Sequence, residues 1–276
     1  MQDISVYNKE GSPLRKAQLA SLDILMEIDR VCRENNLTYW MDFGTLLGAI
    51  RHKGFVPWDD DIDITMPIDD FNEFIRIGQS KLKKGFFLQT EKTDPGSNMG
   101  KGLFKVRMDG TLFINDFDDF SKSYHKGISI DVFAEEPYPT VSPRFLNFIR
   151  KRISKAFGFF HYNIKLNFKN IVSYFCFPIS YLFFKGLWIV ICALKKTDRE
   201  FVKIERVTYG YPTLRTDMLP VSQIEFEGHM FNAPKVPEAR LKNIYGDYMT
   251  IPPVEKQRIH AKFISTDITD NYVNLD

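Results

Sequence analysis

The residues able to do chemistry in this 276-residue chain are concentrated in one run, GTLLGAIRHKGFVPWDDDIDIT, residues 44–65. Residues two apart on a strand share a face, so Asp61 and Asp63 project together while Ile62 and Ile64 turn toward a core. That sets the two carboxylates roughly 7 Å apart at the backbone. Their side chains are then free to converge on a hard cation, Mg²⁺ or Mn²⁺. Without a cation, two acids so placed repel and raise each other's pKa. With one, the site neutralises phosphate oxygens and aligns a hydroxyl for in-line displacement, the chemistry of metal-assisted phosphoryl transfer.

Three further groups extend this site. Gly44 and Thr45 stand where a helix is expected to open, and free backbone N–H groups there favour a phosphate, with Gly44 permitting close approach. Asp131, in the run SIDVF between apolar Ile130 and Val132, shares the alternation of the first strand and reads as a third ligand or a general base, or else as a strand-end turn residue. Lys105 and Arg107, two apart in FKVR, read either as phosphate contacts or as a solvated strand face. Arg51, His52 and Lys53 lie near enough in sequence to reach the acids, though a basic helix end also explains them. His260 has no spacing that places it near the acids. Standing alone, DDDID would read as a solvated loop; the alternation that follows it argues for a site.

Positioning these residues requires a particular order of elements. Apolar positions from Leu14 to Cys32 recur near the helical period and predict a helix over Pro13 to Asn36. A strand follows at Leu37 to Phe43, then a short helix from Gly44-Thr45 to His52. A loop carrying Pro57 leads into a strand at Ile62 to Met66, and a helix is expected at Asp69 to Gly78. Strands are predicted at Phe86 to Thr90, Leu103 to Met108, Leu112 to Asn115 and Ile128 to Phe133. The pattern is α+β, a mixed sheet flanked by helices.

Charge divides the chain. The whole carries 37 Lys+Arg against 35 Asp+Glu, too balanced for a surface devoted to nucleic acid, and no nucleic-acid partner is expected. Residues 141–200 hold eleven Lys/Arg and two Asp/Glu, and a nearly uncharged run from Ile171 to Leu194 is interrupted by Pro178 and Lys185. This segment is read as an apolar, basic helical insert: a membrane-surface element, a span, or a buried helical pair. The chain then divides into a catalytic core over 1–140, the insert over 141–200, and a C-terminal part over 201–276 that completes the catalytic domain. Three cysteines, Cys32, Cys176 and Cys192, with no CxxC spacing, give neither a disulfide framework nor a zinc site. The polar leader lacks a signal-peptide core, so a cytoplasmic protein is expected, with the insert at the inner face of the membrane if it meets lipid.

The run GTLLGAIRHKGFVPWDDDIDI resembles the signature of the LicD family, the phosphorylcholine-type transferases related to fukutin and fukutin-related protein. The resemblance continues through FKVRMDGT at 104–111, GISIDVFAEEPYP at 127–139, and YGDYMTIPP with RIH near the C-terminus, leaving out 141–200. It implies a nucleotidyltransferase fold of the polymerase-beta-like kind. It also implies transfer of an alcohol phosphate from a CDP-linked donor, CDP-choline or a CDP-polyol, to a sugar hydroxyl, expected on a cell-surface glycan or its precursor; the basic, apolar insert suggests a lipid-linked acceptor. Position by position, Asp61 and Asp63 match the metal-binding acids, Asp59 the preceding acid, Asp131 the third acid, and Gly44 with Thr45 the phosphate-side turn. Movement of a whole nucleotide onto a small molecule, or a non-catalytic docking role on the same fold, are the competing expectations.

Overall fold

The computed structural model describes residues 6–97, 99, 102–116, 118–161, 168–195, 197–202 and 213–268. Two compact units emerge, one from residues 1–134 with 217–276, the other from residues 135–216. The first unit is therefore discontinuous in sequence.

It begins with α1 (Pro13–Glu34), whose first turn is set by Ser12 accepting from the Arg15 N–H and by Pro13 at the first helical position. The apolar face of α1, including Leu22, Ile24, Leu25, Ile28 and Val31, is buried. β1 (Trp40–Met41) and α2 (Phe43–His52) follow, then β2 (Ile62–Pro67) and α3 (Ile68–Lys81). β3 (Phe86–Gln89), β4 (Leu103–Met108), β5 (Leu112–Asn115) and β6 (Ser129–Pro139) complete the first stretch. The sheet runs in the order β1-β2-β6-β4-β3, which seats β2 beside β6 although 61 and 131 are far apart in sequence. Facing side chains Ile62, Ile64, Val106, Ile130 and Val132 form its core with Phe74 and Phe104, whose rings stack at 5.2 Å.

The returning chain contributes α6 (Arg215–Met218) in part, the hairpin β9 (Ser222–Phe226) with β10 (His229–Ala233), α7 (Pro237–Tyr245) and β11 (Ala261–Ser265). The hairpin packs Phe226, Phe231 and Ala233 into the same core, and β11 pairs antiparallel with β5.

In the second unit the distal half of β6 pairs antiparallel with β7 (Thr197–Val202), and β7 with β8 (Thr213–Leu214). Between β6 and β7 lie α4 (Pro143–His161) and α5 (Phe168–Leu194), which pack through Leu146, Ile149 and Ile153 against Trp188 and Leu187. The three cysteines are free thiols.

Among the boundaries that differ from the sequence reading, three have a local reason. The strand expected at Leu37 to Phe43 shrinks to two paired residues, because Asp42 leaves the ladder to cap α2. The helix expected from Gly44 begins at Phe43 instead. The strand expected to end at Phe133 continues to Pro139; the register shifts between Tyr138 and Pro139, which accommodates a proline that cannot donate to the ladder.

Candidate active site

The site is assembled where β2, α2 and β6 meet. Along β2 the pattern is buried Ile62, half-buried Asp63, buried Ile64, so the alternation presents Asp63 as expected. The Asp63 N–H donates to Thr45 Oγ1 at 2.8 Å, and the Asp42 N–H donates to the Asp63 carbonyl at 3.0 Å. Thr45 thus fixes the acid-bearing strand to α2.

At the N-terminus of α2 the Asp42 carboxylate caps the first backbone N–H, that of Phe43. Asp42 Oδ1 accepts from the Phe43 N–H at 2.9 Å and from Arg240 Nε at 2.9 Å; Oδ2 accepts from the Thr65 hydroxyl at 2.8 Å and Arg240 Nη2 at 2.5 Å. Both Asp42 and Arg240 are fully buried. This clamp holds Phe43 at φ 45°, a left-handed conformation unfavourable for a bulky residue. The Phe43 ring is gripped further by Phe133, edge-on at 5.5 Å, and by the Arg240 guanidinium at 5.6 Å.

Gly44 does permit a close approach, and the group that approaches is Asp59. A Cβ at position 44 would lie 2.4 Å from Asp59 Oδ2. Asp59, Asp60 and Asp61 each offer a carboxylate oxygen, all within 4.8 Å of one another. Burial raises the pKa of Asp59 well above the carboxylate range, reinforced by Asp61 and Asp60 and by a hydrogen bond to Asp61. Burial, with repulsion from Asp60 and Asp131, lifts Asp61 to about 6 despite the opposing pull of Lys105 and His260. Asp63 is likewise pushed well up, by burial and then by Asp61, Asp131 and Asp59. Asp59, Asp61, Asp63 and Asp131 therefore share one electrostatic environment.

Asp131 sits opposite Lys105 in the β4/β6 register, and Lys105 Nζ lies 2.5 Å from Asp131 Oδ1. Lys105 thus faces the site. Arg107, two residues on, is not a solvated side chain: it is 6% exposed and donates to Gln89 Oε1 at 2.6 Å and to the Gly127 carbonyl. Its alternation pointed correctly, but the strand carries it beneath a loop that closes over it.

Two residues were beyond reach of spacing. Asp60, the middle acid of the run, is buried; its Oδ2 accepts the His260 N–H at 2.7 Å and the Ala261 N–H at 2.6 Å. Its Oδ1 is buried with no hydrogen-bond donor and lies 3.4 Å from His260 Nδ1. His260 is thereby brought to the acids. Arg51 lines the neighbouring cavity but is occupied by the Tyr248 and Thr250 carbonyls, at 3.0 and 3.4 Å. His52 has its pKa lowered to about 4 by burial and by Arg51, which leaves it neutral near pH 7. Lys53 is exposed as the left-handed cap of α2.

A cavity of about 660 Å³ opens beside Asp59 and Gly44. Trp58, Tyr245, Tyr248, Asp247 and Lys256 line it, so the distinctive run YGDYMTIPP forms one of its walls. An all-oxygen donor set, crowded carboxylates and an orphaned buried carboxylate oxygen fit a hard divalent cation such as Mg²⁺ or Mn²⁺.

Residues 36–192, more than half of the chain, match the family model described as LicD/FKTN/FKRP, nucleotidyltransferase domain. The lipopolysaccharide cholinephosphotransferase LicD of Haemophilus influenzae is 27% identical over 267 residues, 90% of this chain and 95% of that protein. The human ribitol 5-phosphate transferase FKRP is 47% identical over 32 residues, 12% of this chain and 6% of that protein.

Proposed function

The chain belongs to the LicD/FKTN/FKRP family, and from that membership together with the acid cluster we propose that it transfers an alcohol phosphate from a CDP-linked donor to a sugar hydroxyl of a glycan. The full-length similarity to a cholinephosphotransferase and the short, stronger similarity to a ribitol 5-phosphate transferase bracket the transferred group as phosphocholine or a polyol phosphate. The observation that carries the reading is the cluster of Asp59, Asp60 and Asp61, each with a carboxylate oxygen within 4.8 Å of the others, with Asp63 held at raised pKa by burial and by Asp61 and Asp59, beside a cavity large enough for a nucleotide-linked donor.

Asp61, Asp63, Asp59 and Asp131 are the residues that would hold Mg²⁺ or Mn²⁺, which when bound supplies charge neutralisation for the donor diphosphate. The protein's own part is positional. Thr45 fixes Asp63, Lys105 fixes Asp131, and Gly44 admits Asp59. In the reaction the sugar oxygen bonds to the phosphorus that carries the alcohol. The bond from that phosphorus to the oxygen bridging to CMP breaks, and CMP leaves with the electron pair. The hydroxyl proton passes to a carboxylate of the cluster.

Purified protein incubated with Mg²⁺ or Mn²⁺, a panel of CDP-alcohols and glycan acceptors tests this by CMP release. Metal-dependent CMP release that is lost in Asp63→Asn supports the reading, and the best donor names the alcohol. Pyrophosphate formed from free CTP or ATP would replace it with nucleotide transfer, and donor binding without turnover by any donor and acceptor would replace it with a non-catalytic role.

A further inference from the structure

The helix pair of the second unit carries a surface that its own core does not use. On α5, Tyr181, Phe184, Leu187 and Trp188 face α4. On the other side Ile179, Leu182, Phe183, Ile189, Val190 and Leu194 fall on one helical stripe, with Gly186 between its two halves, and they are 53 to 80% exposed. Single exposed apolar residues are ordinary, whereas a continuous stripe of this length marks an interaction face.

What adjoins the stripe identifies its partner. Helix α4 exposes Phe145 and Phe148 among Arg144, Lys151, Arg152 and Lys155. The Arg152 guanidinium lies 5.2 Å from the Phe148 ring and the Lys155 ammonium 5.7 Å from the Phe177 ring. No acidic residue occurs from Val141 to Thr197. Aliphatic side chains beside aromatics and uncompensated cations are the chemistry of an anionic lipid interface.

We propose that α4 and α5 lie in the plane of an anionic phospholipid surface, the α5 stripe entering the acyl boundary and the α4 cations resting on the headgroups. Cys176–Leu194 is apolar enough and long enough to cross a bilayer. The packing opposes that arrangement: Trp188 is buried against α4, Lys185 falls at mid-helix, and Pro178 interrupts the first turns. A second copy of the chain is disfavoured as the partner, because a self-complementary contact would oppose two basic α4 surfaces.

The test uses the full chain and reads binding alone, so it is independent of whether the catalytic proposal holds. Sedimentation is measured with vesicles of phosphatidylcholine containing phosphatidylglycerol and with phosphatidylcholine alone, at low and high salt. The expected result is binding to the anionic vesicles that weakens with salt. Leu182→Ser with Phe183→Ser, and separately Lys151→Glu with Arg152→Glu, are each expected to lower the partition coefficient at least about tenfold. Both pairs are exposed, and an unchanged circular dichroism spectrum verifies folding. Absence of vesicle binding, or binding indifferent to both pairs, overturns the proposal. So does vesicle-bound protein that resists alkaline carbonate extraction, which indicates a span, or a stable dimer in lipid-free buffer that Leu182→Ser dissociates.

Discussion

The first unit buries carboxylates in two opposite ways. Asp42 is wholly enclosed yet fully answered, with a bidentate arginine, a hydroxyl and a backbone N–H on its two oxygens. A short distance along the chain, Asp59, Asp61 and Asp63 are crowded together with repulsion among the causes of their raised pKa values, and with no ion pair on any of them among the described residues. A charge buried for architecture comes with its counter-charge, whereas a charge buried for chemistry leaves that place for something from outside. The comparison separates an acid that the fold fully answers from acids whose place it leaves open.

It breaks most sharply at Asp63. Asp63→Asn is expected to lower CMP release by about a thousandfold or more while the metal-free protein unfolds at a temperature no lower than wild type, because the change relieves repulsion; a lower unfolding temperature would place Asp63 with Asp42 as a structural group. Arg240→Met should do the reverse to the architecture, costing about 3–5 kcal/mol in urea unfolding by stranding the Asp42 charge. Adding Asp42→Asn to Arg240→Met should restore part of that loss, and a strictly additive double variant would show that the pair is not coupled.

Gly44→Ala should cut turnover about tenfold to a hundredfold by forcing Asp59 aside, with unfolding free energy changed by no more than about 1 kcal/mol. The smallest effect is a dependence on pH. Because the Asp61 carboxyl is raised from 3.8 to about 6, the folded metal-free chain retains a proton that the unfolded chain releases between those values. That contribution to stability is complete below about pH 4 and is lost as pH rises through 6. Asp61→Asn should therefore gain on wild type by about 1–2 kcal/mol between pH 4 and pH 7 in chelator, and added Mg²⁺ should stabilise wild type more than the variant; a pH-independent difference would refute the raised carboxyl.

Much of this was readable in the residues because it is written at short range. Strands β2, β4 and β5 follow from alternation over a few positions, and so does the half-buried setting of Asp63 between Ile62 and Ile64 and of Asp131 between Ile130 and Val132, whereas Asp61 lies one residue ahead of β2. What escaped reading is written at long range. Arg240, within PEARLKNIY, has the look of a surface helix residue, yet its partner is 198 positions away. Asp60 is indistinguishable from its neighbours in DDDID until His260 and Ala261, 200 and 201 positions on, arrive at its oxygen. The cap on α2 is hidden for a related reason: Asp42 reads as part of a strand until the Phe43 N–H and Arg240 are seen on its carboxylate. For Arg107, only the loop around Gly127 shows that its strand face is covered.

The stitching of the first unit has a consequence for how activity appears in time. Arg15 reaches Glu227 at 2.6 Å, Asp42 holds Arg240, and Asp60 holds the backbone at 260 and 261. A ribosome releases the acid run early, but the last fastener of the run is synthesised some two hundred residues later. The nascent chain therefore carries the acids long before it carries the residues that fasten them, and the acid run takes its folded geometry only once residues 260 and 261 have been made.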